Sequence, residues 1–327
     1  MGDRVYPRDV DAAPPGRAPW PGRPDLAPIW DAADRLFPIR VTPSFAARID
    51  PTDPADPLGL QVLPHPAELL PEGLDDPVGE KARSPLPWVV RKHPDRVLLL
   101  LTKRCHLYCR FCFRRTHDPG DALDPSPEAW DAAVAYAAAS GAREVILSGG
   151  DPLAVPDARL FDAIDRLRPA IPVIRVHTRA PITAPSRVTA ALVEGLRARA
   201  PVWVLVPGNH PRELAPDVDA ALARLVDAGV PVLNQTVLLA GVNDDVDVLA
   251  ALCEALVARR VYPYYLHHPD RVTGAGHFQV PGARGLAVYG ALRDRVSGLA
   301  LPTYVIDPED GSGKVPVEIH ALGRSTD

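Results

Sequence analysis

The sequence predicts an α/β fold in which a parallel sheet is covered by helices and curves toward a barrel. Two observations predict it. From residue 96 onward, short apolar runs alternate with amphipathic stretches about six times, the pattern of successive strand–helix–strand units. Polar residues gather directly after the apolar runs, at the strand C-terminal ends where α/β sheets and barrels place their sites. Alternation alone does not separate an open doubly wound sheet from a barrel. So many loops contributing to one site favour the barrel-like arrangement.

Taken in order, residues 1–24 read as a flexible N-terminal arm, because much of the chain's proline (39 residues) lies early and such composition resists packing. Residues 25–95 read as an irregular, Pro-rich wrap, with short helical pieces between the turn-rich stretches PTDPADP (51–57) and DDPVGE (75–80). The core spans 96–300. Its predicted strands are VLLLLT (97–102), EVILSG (144–149), PVIRVHT (172–178), VWVLV (202–206), PVLNQTVLL (231–239) and VYPYYLH (261–267). Apolar runs of this kind suit strands buried on both faces. The predicted helices are 127–140, 184–200, 217–229 and 244–260, each carrying apolar residues at helical spacing. Residues 301–327 form a short C-terminal segment.

The bulk properties narrow the function. A chain of 327 residues, 46% hydrophobic and 24% charged, is soluble and globular in composition and long enough for one barrel-like domain or two ordinary ones. A net charge of −5 gives no general basic surface for nucleic acid. No apolar run approaches the roughly 18 residues of a membrane span. The N-terminal MGDRVYPRDVDAAPPG lacks the apolar core of a signal peptide, and Tyr6 breaks the myristoylation pattern, so a cytoplasmic location is expected. Four cysteines in such a chain do not suggest a disulfide framework.

Three of those cysteines, Cys105, Cys109 and Cys112, fall within RCHLYCRFCFRR (104–115), just after the first core strand. Thiolates so spaced can wrap a small cluster, and soft sulfur suits zinc or iron–sulfur centres. Three ligands leave one metal position open, as a reactive site requires. A zinc site completed by His106 or His117 is the alternative, since structural zinc takes four protein ligands.

The C-x3-C-x2-C spacing, with Phe111 before the last cysteine, resembles the signature of radical S-adenosylmethionine (SAM) enzymes. That resemblance implies a [4Fe–4S] cluster held by Cys105, Cys109 and Cys112, an open iron that chelates SAM, and reductive cleavage of SAM to a hydrogen-abstracting radical. It also implies a partial (β/α)6 barrel. From about Phe37 to Val317 the chain more closely resembles the lysine 2,3-aminomutase family. The resemblance runs through FPIRVTP (37–43), HPDRVLLLLT (93–102), CRFCFRR (109–115), ILSGGDPL (146–153), LNQTVLLAGVND (233–244), PYYLHHPD (263–270), GHF (276–278) and DPEDGSGKVPV (307–317).

Read by itself, Lys314 is a glycine-flanked lysine that fails the phosphate-loop pattern, with Pro308 where the first glycine belongs and Val315 after the lysine. The family resemblance makes it the lysine that carries pyridoxal 5′-phosphate (PLP), beside glycines that let backbone approach the cofactor. It further implies that Arg96 and Lys92 hold the PLP phosphate, although Lys92 stands where arginine is usual and His93 where tyrosine is common. Arg114 is implied to clamp the substrate carboxylate, and Asp270 with Asp307 to grip a distal ammonium, because two acids facing one site repel unless a cation joins them. Ser148, Gly149, Gly150 and Asp151 resemble the segment that contacts SAM, joined by Gln235 and His210 at strand ends. Cys253 reads as a small core residue inside a helix.

The expected function is a PLP-dependent radical SAM 2,3-aminomutase acting on a cationic amino acid, L-lysine to L-β-lysine, with an electron donor such as flavodoxin or ferredoxin and room for a homo-oligomer. The sequence ends 13 residues after Lys314, which resembles the branch that supplies β-lysine to elongation factor P. An arginine 2,3-aminomutase and a non-catalytic iron–sulfur protein are the other readings.

Overall fold

The computed structural model describes residues 20–116 and 122–318. Most of the arm expected over 1–24, together with His117 and the last nine positions of the C-terminal segment, lies outside the described residues.

The N-terminal wrap contributes helix α1 (Ala27–Leu36), the single turn α2 (Pro43–Ala46), several 3-10 turns and strand β1 (Val89–His93). It is irregular in path yet fully part of the core: Phe45, Leu58 and Val62 are completely buried in the same cluster as the sheet residues Val97, Leu99 and Val145. From β2 (Arg96–Leu100) the chain alternates through α3 (Pro127–Ala139), β3 (Glu144–Ser148), α4 (Asp157–Leu167), β4 (Val173–His177), the short α5 (Ala180–Thr183), α6 (Ala190–Ala198) and β5 (Val202–Val206). It continues through α7 (Pro216–Asp227), β6 (Val232–Val237), α8 (Val246–Ala258), β7 (Tyr262–His267), α9 (Gly282–Arg295), β8 (Thr303–Ile306) and β9 (Val315–Pro316).

Local chemistry fixes the helix starts. Side-chain oxygens of Ser126, Thr189 and Asp245 accept from the first-turn amides of α3, α6 and α8, satisfying donors that a helix leaves open. Pro127 and Pro216 begin α3 and α7, where the missing N–H is harmless. The stretch predicted as one helix over 184–200 is instead a 3-10 turn at Pro185–Arg187 followed by α6, which Thr189 caps.

The strands form one sheet in sequence order, β1 to β9. β2 through β8 are parallel, while β1 and β9 run antiparallel at the two ends. The ends do not pair with each other, so the sheet is an open, partial barrel: the six predicted strands, a seventh parallel strand, β8, and two antiparallel edges. β3 and β5 are buried at most positions, as expected of strands covered on both faces, but two other strands are not. β2 and β4 alternate buried with half-buried positions. The buried set (Val97, Leu99, Ile174, Val176) packs under the helices, and the other set (Arg96, Leu98, Arg175, His177) faces a cavity on the concave side. In β2 the period-two alternation is hidden by Leu98 and Leu100 on the cavity wall, whereas in β4 it shows as Arg175 and His177. No helix among the described residues is long and apolar enough to cross a membrane.

Candidate active site

The cavity has a volume of about 500 Å³ and is walled by strand ends β2 to β8, the cysteine loop, and loops at both ends of the chain. Cys105, Cys109, Cys112, Arg114, Ser148, Gly149, Gly150, Asp151, Gln235, Asp270, Asp307, Lys314, Arg96 and Lys92 all line it. Residues more than 200 positions apart thus meet, because a parallel sheet delivers every strand's C-terminal loop to the same end.

The three cysteines are free thiols. Burial, then the neighbouring Asp151 carboxylate and the other two thiols, pushes Cys105 well up, and burial with Cys109 pushes Cys112 to about 11. Thiols crowded this way resist ionisation until a cation joins them, which suits a metal cluster. Cys109 already has a cationic partner, since the Arg179 guanidinium donates to its Sγ at 2.8 Å. No three His, Cys, Asp or Glu side chains among the described residues converge as the ligands of a single ion would. His117, the other candidate zinc ligand, lies outside the described residues. His106 is buried with Nε2 unpartnered.

The loop that carries the cysteines is buttressed from behind. Arg110 and Arg115 both donate to the fully buried carboxylate of Glu68, Arg110 through Nε at 3.0 Å and Arg115 through Nη2 at 2.6 Å. Burial acts to raise the Glu68 pKa, but the two guanidiniums hold it below its usual value.

Ser148-Gly149-Gly150-Asp151 makes a tight turn over the same loop. Gly149 has φ +133°, and a Cβ there would come within 2.2 Å of Thr102 O; one on Gly150 would come as close to Arg104 O. The close approach that these glycines permit is therefore between two loops of the chain. Asp151 accepts from Leu153 N at 2.8 Å, Thr178 Oγ1 at 2.6 Å and Arg179 N at 2.9 Å, so its carboxylate locks the β3 and β4 loops together. His210 does not line the cavity: its Nδ1 accepts from Arg212 N and caps a 3-10 turn, which corrects its expected place in the SAM pocket. Asn209 and Asn234 likewise bond to protein, to Gln61, Val237 N, Val206 O and Gly208 O.

At the other end of the cavity, Asp307 is bracketed by two lysines. Lys314 Nζ donates to one carboxylate oxygen at 2.8 Å and Lys92 Nζ to the other at 3.2 Å. Burial opposes ionisation of Asp307, but the two ammonium groups hold it below its usual value. Asp270 is the opposite case: burial first, then Asp307, pushes it up to about 7 despite Lys314 and Lys92. One acid is ionised and paired, and its neighbour awaits a cation. Gly313, at φ +92°, leaves room for His93, whose Nε2 would lie 2.2 Å from an added Cβ. Arg96, half-buried on the cavity wall, pairs with the adjacent, exposed Asp95 at 3.2 Å. His177 Nε2 is buried without a partner, and burial with nearby Arg175 and Lys314 keeps the ring neutral. An amine at Lys314, the cations Arg96 and Lys92, and an orphaned imidazole nitrogen fit an anionic, aromatic aldehyde cofactor such as PLP.

Sequence reasoning missed Glu80 and Arg175 as cavity residues, and it saw Arg179 and His267 only as polar residues at strand ends, with no role assigned. Arg175, Arg179 and His267 sit on or just after strands, where position alone was the available signal; Glu80 sits in a proline- and glycine-marked turn.

Residues 99–253 match the Radical SAM superfamily, which implies a [4Fe–4S] cluster and SAM. The chain is 42% identical over 285 residues to the L-lysine 2,3-aminomutase of Clostridium subterminale, covering 85% of this chain and 68% of that one. It is 38% identical over 299 residues to the L-lysine 2,3-aminomutase of Bacillus subtilis, covering 90% and 64%. The glutamate 2,3-aminomutase of Clostridioides difficile is 34% identical over 285 residues, with 86% and 68% covered. With a radical SAM domain on an open parallel sheet and identity of this extent, the chain belongs to the lysine 2,3-aminomutase family of radical SAM aminomutases.

Proposed function

We propose that the protein is a PLP-dependent 2,3-aminomutase that moves the α-amino group of a cationic amino acid, L-lysine foremost, to its β-carbon. The observation that carries this reading is the asymmetric acid pair: Asp270, pushed up to about 7, beside an ionised Asp307 in the same cavity as Arg114. A side-chain ammonium beside Asp270 favours its ionised form and pairs with it, whereas the side-chain carboxylate of glutamate there would push the Asp270 carboxyl further up.

In this reading Cys105, Cys109 and Cys112 hold the cluster, while Ser148, Gly149, Gly150 and Gln235 border SAM and Asp151 braces their turn. Lys314 carries PLP, with Arg96 and Lys92 toward its phosphate. When bound, the cluster and SAM supply a hydrogen-abstracting radical, and PLP supplies the ring that eases nitrogen migration. The protein's own contribution is to orient and enclose. Arg114 and the Asp270–Asp307 pair hold the two charged ends of the substrate, which fixes the carbon between them relative to the cysteine loop. Neutral His177 and His267 leave the wall between them uncharged. A small-molecule amino acid and a one-electron reductant are the partners this requires.

The test is a substrate panel. The reduced, SAM- and PLP-supplied enzyme is incubated separately with lysine, arginine and glutamate, and α and β isomers are separated. Conversion of lysine above the others is expected. Turnover of glutamate alone would overturn the assignment, and preference for arginine would keep the cationic class while moving the substrate.

A further inference from the structure

Glu80 lies in the N-terminal wrap, yet its carboxylate reaches the cavity and takes Arg114 by two parallel hydrogen bonds, from Nε and from Nη2, both 2.7 Å. Both side chains are largely buried, 18% and 16% exposed, so this pair differs from a surface ion pair of little consequence. Its loop is held firmly. The Asp76 carboxylate accepts from Glu80 N and Lys81 N, each at 2.8 Å. Gly79, at φ +64°, touches the lysine loop: an added Cβ would come within 2.9 Å of Gly311 N and 3.0 Å of Glu309 O.

A guanidinium carries five N–H donors in a fixed plane. Glu80 occupies the Nε–Nη2 edge, and Nη1 leans on Gly149 O at 3.2 Å and Ser148 Oγ at 3.5 Å. That leaves the second Nη2 hydrogen free on the terminal edge, and the Nη1 contact with Ser148 Oγ, at 3.5 Å the longest of the four, is the one a further carboxylate there would replace. We propose that Glu80 is the positioning residue for Arg114. It pins one edge of the guanidinium so that the terminal edge meets the substrate's α-carboxylate, and the Gly79–Gly311 contact sets that edge in register with the loop bearing Lys314. The proposal rests on the amino-acid reading above and deepens it. The rival is that Glu80 fills the place of the substrate carboxylate and is displaced on binding.

The experiment measures equilibrium binding, by anaerobic calorimetry on the cluster- and PLP-loaded protein, of L-lysine and of L-lysinamide, which lacks the carboxylate charge. Wild-type protein is expected to prefer lysine. Glu80→Gln and Glu80→Ala are expected to lose affinity for lysine by about tenfold or more, the scale of one charge-assisted hydrogen bond. Lysinamide binding, iron content and bound PLP should stay unchanged. Equal wild-type affinity for lysine and lysinamide would overturn the carboxylate role of Arg114 itself. Wild-type preference retained in both variants would overturn only the role of Glu80. Tighter lysine binding by Glu80→Ala would establish displacement instead. Should the alanine variant lose iron, Glu80→Gln and Glu80→Asp, which keep an acceptor on the loop, give the same readout.

Discussion

The Arg179 guanidinium donates to the Sγ of Cys109 at 2.8 Å while its other arm is held by Gln61 at 2.7 Å and Glu213 at 3.0 Å. The cation is aimed at the sulfur by partners on two different segments and lies buried beside it. Hydrogen bonds to ligand sulfurs tune cluster potentials, and a cationic donor favours the more negative, reduced cluster. Replacing Arg179 by Gln should therefore make the cluster harder to reduce, on the order of 60 mV, the one-electron equivalent of a tenfold change. An EPR-monitored redox titration reads the midpoint directly. An unchanged midpoint at full iron content would remove Arg179 from any role in tuning.

The Glu68–Arg110–Arg115 triad is expected to matter for folding more than any exposed pair. Its carboxylate is fully buried between two guanidiniums, and removing one charge of such a set leaves the others uncompensated. Glu68→Gln should destabilise the protein by about 3–5 kcal/mol and impair cluster assembly, because Arg110 and Arg115 sit in the loop that carries Cys109 and Cys112. Glu194→Ala, which breaks the exposed pair with Arg197, should change stability by no more than about 0.5 kcal/mol. Urea unfolding of both variants compares them; equal effects would mean that the triad contributes no more than a surface pair.

Most of the frame and much of the site were legible in the sequence, for physical reasons that also explain what was not. VWVLV marks β5 to the residue, because a strand under helices must be apolar. β1, β8 and β9 were missed: VVRKH is half polar, and the other two are short. The cysteine spacing and the family pattern brought Cys105, Cys109, Cys112, Arg114, Asp270, Asp307 and Lys314 to one cavity. Neither signal reports how a polar residue at a strand end uses its hydrogen bonds, so His210, a turn cap, looked like a pocket residue. Glu80 escaped notice because its partner Arg114 is 34 residues away, and nothing local in DDPVGE distinguishes a clamp from a solvated turn acid.

Lys314→Ala should abolish turnover while leaving the iron content unchanged, since the lysine and the cysteines stand on separate loops. The wild-type protein should show a PLP absorbance band that borohydride bleaches, and peptide mapping should place the reduced adduct on Lys314. In the variant, Asp307 keeps only Lys92 as its cationic partner of the present two. A borohydride-trapped adduct at Lys92 or elsewhere in the wild type would move the cofactor lysine.

Asp270 sets a pH dependence whose sign follows from its environment. Its pKa is raised from 3.8 to about 7 by burial and by Asp307, with Glu80 adding to the rise and Lys314 and Lys92 opposing it. Between about pH 4 and 7 the folded protein holds a proton that the unfolded chain has released. Stability therefore falls across that window as pH rises, by up to about 1.4 kcal/mol per pH unit, and Asp270→Asn should remove that contribution and gain thermal stability at pH 8. Lysine binding runs the other way. An ammonium beside Asp270 favours the ionised form, so affinity should climb from pH 6 to pH 8, with proton release on binding near pH 6 and almost none at pH 8. Calorimetry in buffers of different ionisation enthalpy counts those protons, and Asp270→Asn should bind more weakly without the slope. Lysine affinity that is flat from pH 6 to pH 8 in the wild type would mean that Asp270 does not meet the substrate's ammonium.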